Sequence, residues 1–321
     1  MADSVSSRTA KQHVGVVVPV RNGERYLDET LTAVEAQTHA HWRGVIVVNA
    51  STDRTLDIAR EHAQADGRWQ VVEAAEPGVS RARNLGRNVL CDGGIPSAFW
   101  WLDADDVPDA DLLEQLLAEL KKQPQASAVH AVVHFQDADG KAVETTPALQ
   151  TRLDRHVADC GELRRLSSSE PTTRLAIATW PCVITPGVVL ARATAVLRTG
   201  DWNTDLSIGE DSEYWFRLMA CGPMAFLDRP LLAYRLHEDS AGVSAKRRSG
   251  RRKAVRALVA ATKDQAEQRD VVRAYQLSQW HLAAQRAREA TSLLRKGRLR
   301  DGAKRLAGAA ANATLSKAPV T

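Results

Sequence analysis

Three carboxylates, Asp103, Asp105 and Asp106, fall within four positions directly after the apolar run Phe99-Trp100-Trp101-Leu102. An apolar run this short and this aromatic reads as a buried strand. The acids therefore emerge where the strand leaves its sheet, and in open α/β sheets that end borders the ligand crevice. Clustered carboxylates repel one another and are relieved by a cation, and oxygen ligands suit Mg or Mn. The chemistry these residues suggest is a divalent cation holding a phosphate-bearing substrate. An ordinary reading competes with it. Asp105, Asp106, Asp109 and Asp111 also precede the stripe Leu112, Leu113, Leu116, Leu117 and Leu120, and acids before a helix favour its dipole or cap it. A lone Asp-x-Asp is a hypothesis only, so the rest of the chain decides.

The elements that would position these acids alternate. Val14 to Val20 is a valine-rich strand with Pro19 at its end, followed by the turn Arg21-Asn22-Gly23. A helical spacing of Leu27, Leu31 and Val34 follows between Glu24 and Gln37. Val45 to Val48 reads as a strand, Thr55 to Ala63 as a helix, Trp69 to Val72 as a strand and Gly78 to Leu90 as a helix. Strands alternating with helices argue βαβ units and a largely parallel sheet. Further on, Ser127 to Phe135 and Val188 to Leu190 read as strands, with a short helix from Ala191 to Leu197. A helix carries Tyr214, Trp215, Leu218 and Met219, and Leu231 to Leu236 is the last core strand. Between Lys141 and Pro171 the pattern is poor, and a short helix is expected near Arg152 to Leu166.

Composition narrows the class. With 44% hydrophobic and 26% charged residues the 321-residue chain is ordinary globular protein, long enough for about two domains. A net charge of +4 is too mild to argue for nucleic acid. Cys91, Cys160, Cys182 and Cys221 form no Cys-x-x-Cys pair, which argues against zinc and fits small buried residues in a reducing cytoplasm. The start, Met1 to Gln12, has no apolar signal core, and no run approaches a membrane span. A cytoplasmic protein, at most at the inner face of a membrane, is the expectation.

Six segments taken together carry a resemblance. Val16-Val17-Val18-Pro19-Val20-Arg21-Asn22-Gly23, Ser51-Thr52-Asp53-Arg54-Thr55, Gly78-Val79-Ser80-Arg81-Ala82-Arg83-Asn84-Leu85-Gly86, Leu102-Asp103-Ala104-Asp105-Asp106, Gly209-Glu210-Asp211 and Tyr234-Arg235-Leu236-His237 resemble, in order, the motifs of family-2 glycosyltransferases. The resemblance spans about residues 14 to 240. It implies a GT-A fold, a Rossmann-like, mostly parallel sheet with flanking helices. It further implies transfer of a sugar from a nucleotide diphosphate donor, a UDP-sugar in the first instance, to an acceptor hydroxyl, with inversion and with Mn or Mg. A growing surface glycan or polysaccharide, a lipid-linked saccharide or a small molecule would be the acceptor. The implied divisions are an unstructured stretch at 1–12, a glycosyltransferase domain at 13–240 and a helical C-terminal appendage at 241–321.

The same resemblance assigns roles. Pro19, Val20, Arg21 and Glu24 would frame the base and ribose, with Asn49 and Ser51 across from them. Asn49 stands where the family usually has an acid that reads the base, which leaves the base open, although an amide both donates and accepts. Asp53 has an alternative as a helix cap. Arg83, at the start of a helix whose free N–H groups suit a diphosphate, would add charge-assisted contacts, while Arg87 reads as a surface residue. Asp105 is implied as a direct metal ligand, with His237 reaching the same metal from a late loop. Asp103 would contact the ribose or the metal's shell, Ala104 would lie with it against the nucleotide sugar, and Asp106 would meet the donor sugar or a helix end. Asp211 would be the general base that takes the acceptor's proton, with Glu210 second or supporting the loop.

Other classes stay open. A nucleotide-sugar-binding protein without turnover is motivated by the altered Asn49 loop. A nucleotidyltransferase would want a Gly-rich basic loop after the first strand, and Val20-Arg21-Asn22-Gly23-Glu24 is a poor one. After Gly242 the composition shifts to the basic cluster Lys246, Arg247, Arg248, Arg251, Arg252 and Lys253, then to helical patterns. This tail either contacts an anionic membrane face peripherally or is an amphipathic subdomain packed on the core or on a second subunit in a homodimer.

Overall fold

The computed structural model describes residues 13–146, 149–150, 153–159, 162–179, 182–237, 247–262, 264–295 and 298–317. The stretch 1–12, expected to be unstructured, lies outside them, as do Cys160, Gly297 and the side chains of the basic cluster at 246–252. β1 (Val14–Val20) is buried along its whole length, as a strand covered on both faces must be. It pairs in parallel with β2 (Trp42–Asn49) on one side and β4 (Ala98–Trp101) on the other, and β3 (Trp69–Ala74) adds in parallel beyond β2. The crossovers are α1 (Leu27–Glu35), α2 (Thr55–Ala65) and α3 (Val79–Asp92). A Cβ on Gly86 would stand 2.5 Å from Val17 Cγ1. Glycine there lets α3 press onto β1 and brings Arg83 to the strand ends.

The second half departs from a purely parallel sheet. β5 (Val107–Pro108), α4 (Leu112–Lys122), β6 (Ala128–Gln136), β10 (Val189–Arg192) and β11 (Met224–Arg235) complete the order β3-β2-β1-β4-β10-β6-β11-β5, with the short β7 (Ala142–Val143) on β6. β10 runs antiparallel to both β4 and β6, whereas β11 is parallel to β6 with register shifts around Pro230. The antiparallel insertion matters for the site. It leads the chain through Thr185 and Gly187 under the end of β4, where Trp100 Nε1 donates to Gly187 O at 2.7 Å.

One expectation fails. Over the described residues of the segment Arg152 to Leu166, expected to be helical, β8 (His156–Asp159) pairs antiparallel with β9 (Glu162–Arg165). The base of this pair is fixed by the buried guanidinium of Arg155, which donates to Glu170 O at 2.7 Å and Thr172 Oγ1 at 3.1 Å. Apolar residues there are too sparse for either period to stand out, and these tertiary bonds decide the shape.

α5 (Arg174–Thr179), α6 (Ala193–Thr199) and α7 (Glu210–Leu218) close the body, and α8 (Arg247–Ala260), α9 (Gln265–Arg295) and α10 (Leu299–Lys317) form the tail. The tail packs on the body. Leu258 and Val271 belong to the main apolar core, Arg174 pairs with Glu267 at 2.7 Å, and the rings of His156 and His281 lie 6.2 Å apart. Cys91, Cys182 and Cys221 are free thiols. No described helix is long and apolar enough to cross a membrane.

Candidate active site

The acids after β4 sit in a turn closed by Asp106 N donating to Asp103 O at 3.2 Å. β5 separates that turn from α4, so Asp103, Asp105 and Asp106 are not first-turn acids of a helix. Their environments differ. Asp103 accepts from Arg83 Nη2 at 2.9 Å. Asp105 accepts from His237 Nε2 at 2.8 Å. Asp106 is 1% exposed, lies 2.7 Å from Thr185 Oγ1, and receives Arg235 N at 3.4 Å. Asp106 is thereby corrected. It faces inward and secures the turn, and neither a sugar contact nor the cap of α4, whose N-cap position is Asp111, falls to it. Burial pushes its carboxyl well above the usual range, with the Asp105 and Asp103 charges adding to the shift. Asp103 is also raised, chiefly by burial, with Arg83 opposing.

Arg83 is the centre of the site. The residue is 2% exposed and its guanidinium lies over the Trp202 ring, 4.5 Å from ring centroid to Cζ. One arm takes Asp103 and the other donates to Glu210 Oε1 at 3.1 Å. Both arms expected to hold a diphosphate are thus committed to carboxylates. Glu210 opens α7 after Gly209, which has a left-handed φ of 79°. Its neighbour Asp211 accepts from Ser212 N at 2.6 Å through Oδ1. Among the described residues its second oxygen has no hydrogen-bond partner. Burial, then the adjacent Glu210 charge, lifts Asp211 to about 6. Asp211 and the Asp103–Asp105 turn therefore share one locus, joined through Arg83.

His237 follows β11 and its ring lies tilted against that of Tyr26, with ring centroids 5.1 Å apart. A carboxylate and an imidazole together suit Mn or Mg. Among the described residues no group of three or more His, Cys, Asp or Glu is placed to hold a metal. A cation here would take Asp105 and His237 from the protein and complete its shell with phosphate oxygens and water, as Mg commonly does.

The rim expected to frame the nucleoside is a zipper of two loops. Asn22 N donates to Ser51 Oγ at 3.0 Å, Thr52 N to Asn22 Oδ1 at 2.8 Å, Glu24 N to Asp53 Oδ2 at 3.1 Å, and Arg54 N to Glu24 Oε2 at 3.1 Å. Glu24, Ser51 and Asp53 build the rim by these bonds. Pro19 and Val20 are buried in the strand end, and Arg21 is exposed. Asn49 is the last residue of β2, 5% exposed, and its Oδ1 has no partner among the described residues. Arg87 is no surface residue: it is 9% exposed and pairs with Asp201 at 2.6 Å. Asn84 clamps the Trp202 backbone in both directions at 3.0 and 2.8 Å.

Three residues carry the site without having been singled out. Arg235, 2% exposed, donates to Asp105 O at 3.0 Å and to Glu29 Oε2 at 2.5 Å. Thr30 lies 3.0 Å from both Ala104 O and Asp106 O, fixing the backbone of the acidic turn. Thr185 secures Asp106. Arg235 stood inside a quoted motif and could have been read from it, whereas Thr30 and Thr185 give no signal in sequence.

Comparison with known proteins bears on the fold and the family. GlyA, a glycosyltransferase of Streptococcus pneumoniae serotype 4, is 30% identical over 127 residues, 40% of this chain and 18% of its own length. The chain thus spans less than a fifth of that relative. The mannosyltransferase PcManGT from Pyrobaculum calidifontis, solved with GDP-Man and Mn2+, superposes with a TM-score of 0.59 at 18% identity, covering 97% of this chain and 89% of that one. S. aureus TarS with UDP-GlcNAc gives 0.58 at 14% identity, covering 92% and 90%. At such identities the likeness establishes the fold, which is GT-A, with the helical tail appended. Residues 15–175, half of the chain, match the family described as Glycosyl transferase family 2, and it is to that family that this chain belongs.

Proposed function

We propose that this chain moves a sugar from a nucleoside diphosphate sugar to an acceptor hydroxyl, inverting the anomeric carbon, with Asp211 as general base and a divalent cation held by Asp105 and His237. The observation that carries this reading is the Arg83 bridge. One guanidinium ties Asp103 of the acidic turn to Glu210, the neighbour of Asp211, so the carboxylates for the leaving group and for the incoming alcohol border one space.

The donor class is supported by the neighbours solved with GDP-Man and with UDP-GlcNAc, and the cation by the Mn2+ of the former. A nucleoside diphosphate is the shared chemistry. The buried Asn49 Oδ1, which has no partner among the described residues, supports a role as acceptor for a base N–H, a role open to either base. The donor we expect first is a UDP-sugar, and the acceptor a growing surface glycan, a lipid-linked saccharide or a small molecule.

Asp105 and His237 would hold the cation through carboxylate oxygen and imidazole nitrogen, and the cation would supply charge to offset that building on the departing diphosphate. Asp211 takes the acceptor's O–H proton on the oxygen that Ser212 leaves free. The alcohol oxygen bonds to the anomeric carbon while the bond from that carbon to the β-phosphate oxygen breaks, and the electron pair leaves with the nucleoside diphosphate. A carboxylate held at about 6 is largely ionised at neutral pH yet more basic than an exposed aspartate. Arg83 and Glu210 orient this base.

A melting-temperature screen of UDP- and GDP-sugars, with and without Mn, identifies the donor by mass action. Transfer from that donor, followed by NMR of the product anomer, tests the rest. An inverted product and loss of turnover in Asp211→Asn are expected. A retained configuration, or full turnover in that variant, removes the proposed mechanism.

A further inference from the structure

The tail carries a surface that the reaction does not use. Along α9, Arg269, Arg273, Trp280, Arg288 and Arg295 recur at helical spacing on one face, and all five are exposed. Trp280 is 61% exposed, which ranks it with Ile95 as the most exposed large apolar side chain among the described residues. The other acids of α9 are engaged elsewhere, Glu267 with Arg174 at 2.7 Å and Glu289 with Arg305 at 3.3 Å, and Asp270 is the one exposed acid among the described residues of the helix. The opposite side of α9 is fixed to the body through Val271 in the main core and through α10, where Arg286 Nη1 donates to Asn312 Oδ1 at 2.9 Å. From Arg269 to Arg295 the face runs about 39 Å at 1.5 Å per residue.

We propose that this face of α9 rests on an anionic lipid bilayer, with Trp280 at the headgroup boundary and the four arginines over acidic headgroups. Three physical arguments select this occupant. A second copy docked on the same face would set arginine against arginine across a two-fold axis. A soluble polyanion would engage the guanidiniums yet leave the large indole in water, whereas an amphipathic indole is suited to the membrane–water boundary. The helix is convex and continuous, which fits a plane better than a pocket fits a small ligand, and it lies on the surface because no described helix can span. The body held behind α9 would then be kept at a fixed height above the lipid. This surface is independent of the proposed reaction, and its test reads no turnover.

The experiment is co-sedimentation of the full chain with phosphatidylcholine vesicles and with vesicles containing phosphatidylglycerol, at low and high salt. Partitioning only to the anionic vesicles, weakened by salt, is expected. The double variant Arg273→Glu/Arg288→Glu should partition at least about 20-fold more weakly, since each basic residue near such a surface is worth about 5-fold. Arg269→Glu/Arg295→Glu, an independent pair, should behave alike, and Trp280→Ala should weaken binding while its melting curve stays that of the wild type. Three results overturn the proposal: no partitioning to anionic vesicles at low salt; variants that melt normally and bind like the wild type; or vesicle binding absent while a soluble polyphosphate is retained through the same residues.

Discussion

Glu210 accepts a hydrogen bond from Arg83 at 3.1 Å across 127 residues of sequence. The contact fastens the start of α7 to the end of the parallel sheet, because the same guanidinium holds Asp103 at 2.9 Å. A buried arginine between two carboxylates is costly to interrupt, since removing the cation strands both charges. Breaking such a pair typically costs about 3–5 kcal/mol.

Arg83→Met is accordingly expected to lower the melting temperature and abolish turnover. Arg83→Lys should rescue neither fully, because a single ammonium cannot reproduce the two-armed fork. Melting curves and transfer rates of the two variants check this. A lysine variant with wild-type stability and rate would mean the fork is dispensable.

Asp211 sets an acid limb. If its carboxylate accepts the proton, the rate should fall tenfold per pH unit below an apparent pKa of about 6. Stability must move the opposite way. The folded state raises this carboxyl above its ordinary 3.8, so folding favours the protonated form and loses stability as pH climbs from about 4 through about 6. Asp211→Asn should therefore melt higher than the wild type at pH 8, with the advantage vanishing below pH 4, while losing turnover. Melting curves across that range, paired with rates, test both signs.

Asp105 and His237 meet at 2.8 Å, and among the described residues they are the protein donors of the proposed cation site. Asp105→Asn and His237→Ala should each weaken Mn binding, measured by calorimetry with the nucleoside diphosphate present, by more than about 10-fold, the scale on which even outer-shell partners act. Unchanged Mn affinity in both variants would move the cation elsewhere.

Gly209 is where the tail meets the base. A Cβ there would stand 2.7 Å from Ala254 Cβ on α8, and its φ of 79° is left-handed. Lys253 of the same helix also bonds to Asp205 O on the approach to Gly209. Gly209→Ala and Ala254→Leu should each push the Glu210–Asp211 turn away from Arg83. The expected reading is a kcat reduced about 10-fold or more with donor affinity retained, as a misplacement near 1 Å can cost that and more. Loss of donor binding instead of kcat would show that the turn acts on the donor.

Much of this molecule is written in its local sequence. Valine runs, helical leucine spacings and the position of Asp103, Asp105, Asp211 and His237 at element ends are set by short-range propensity and burial, and they point to the fold and to the chemistry proposed for it. The pairing of carboxylates with cations is not local. That Arg83 serves Asp103 and Glu210, that Asp106 turns inward to Thr185, and that Glu24 and Ser51 zip two loops depend on side chains remote in sequence converging at one sheet edge. The pairing of β8 with β9 and the antiparallel β10 were likewise decided by tertiary bonds, because a weakly patterned segment takes the shape its neighbours satisfy. The sequence alone determined which groups could react, and only the packed structure decided which of them are left free to do so, since burial and hydrogen bonding consume the rest.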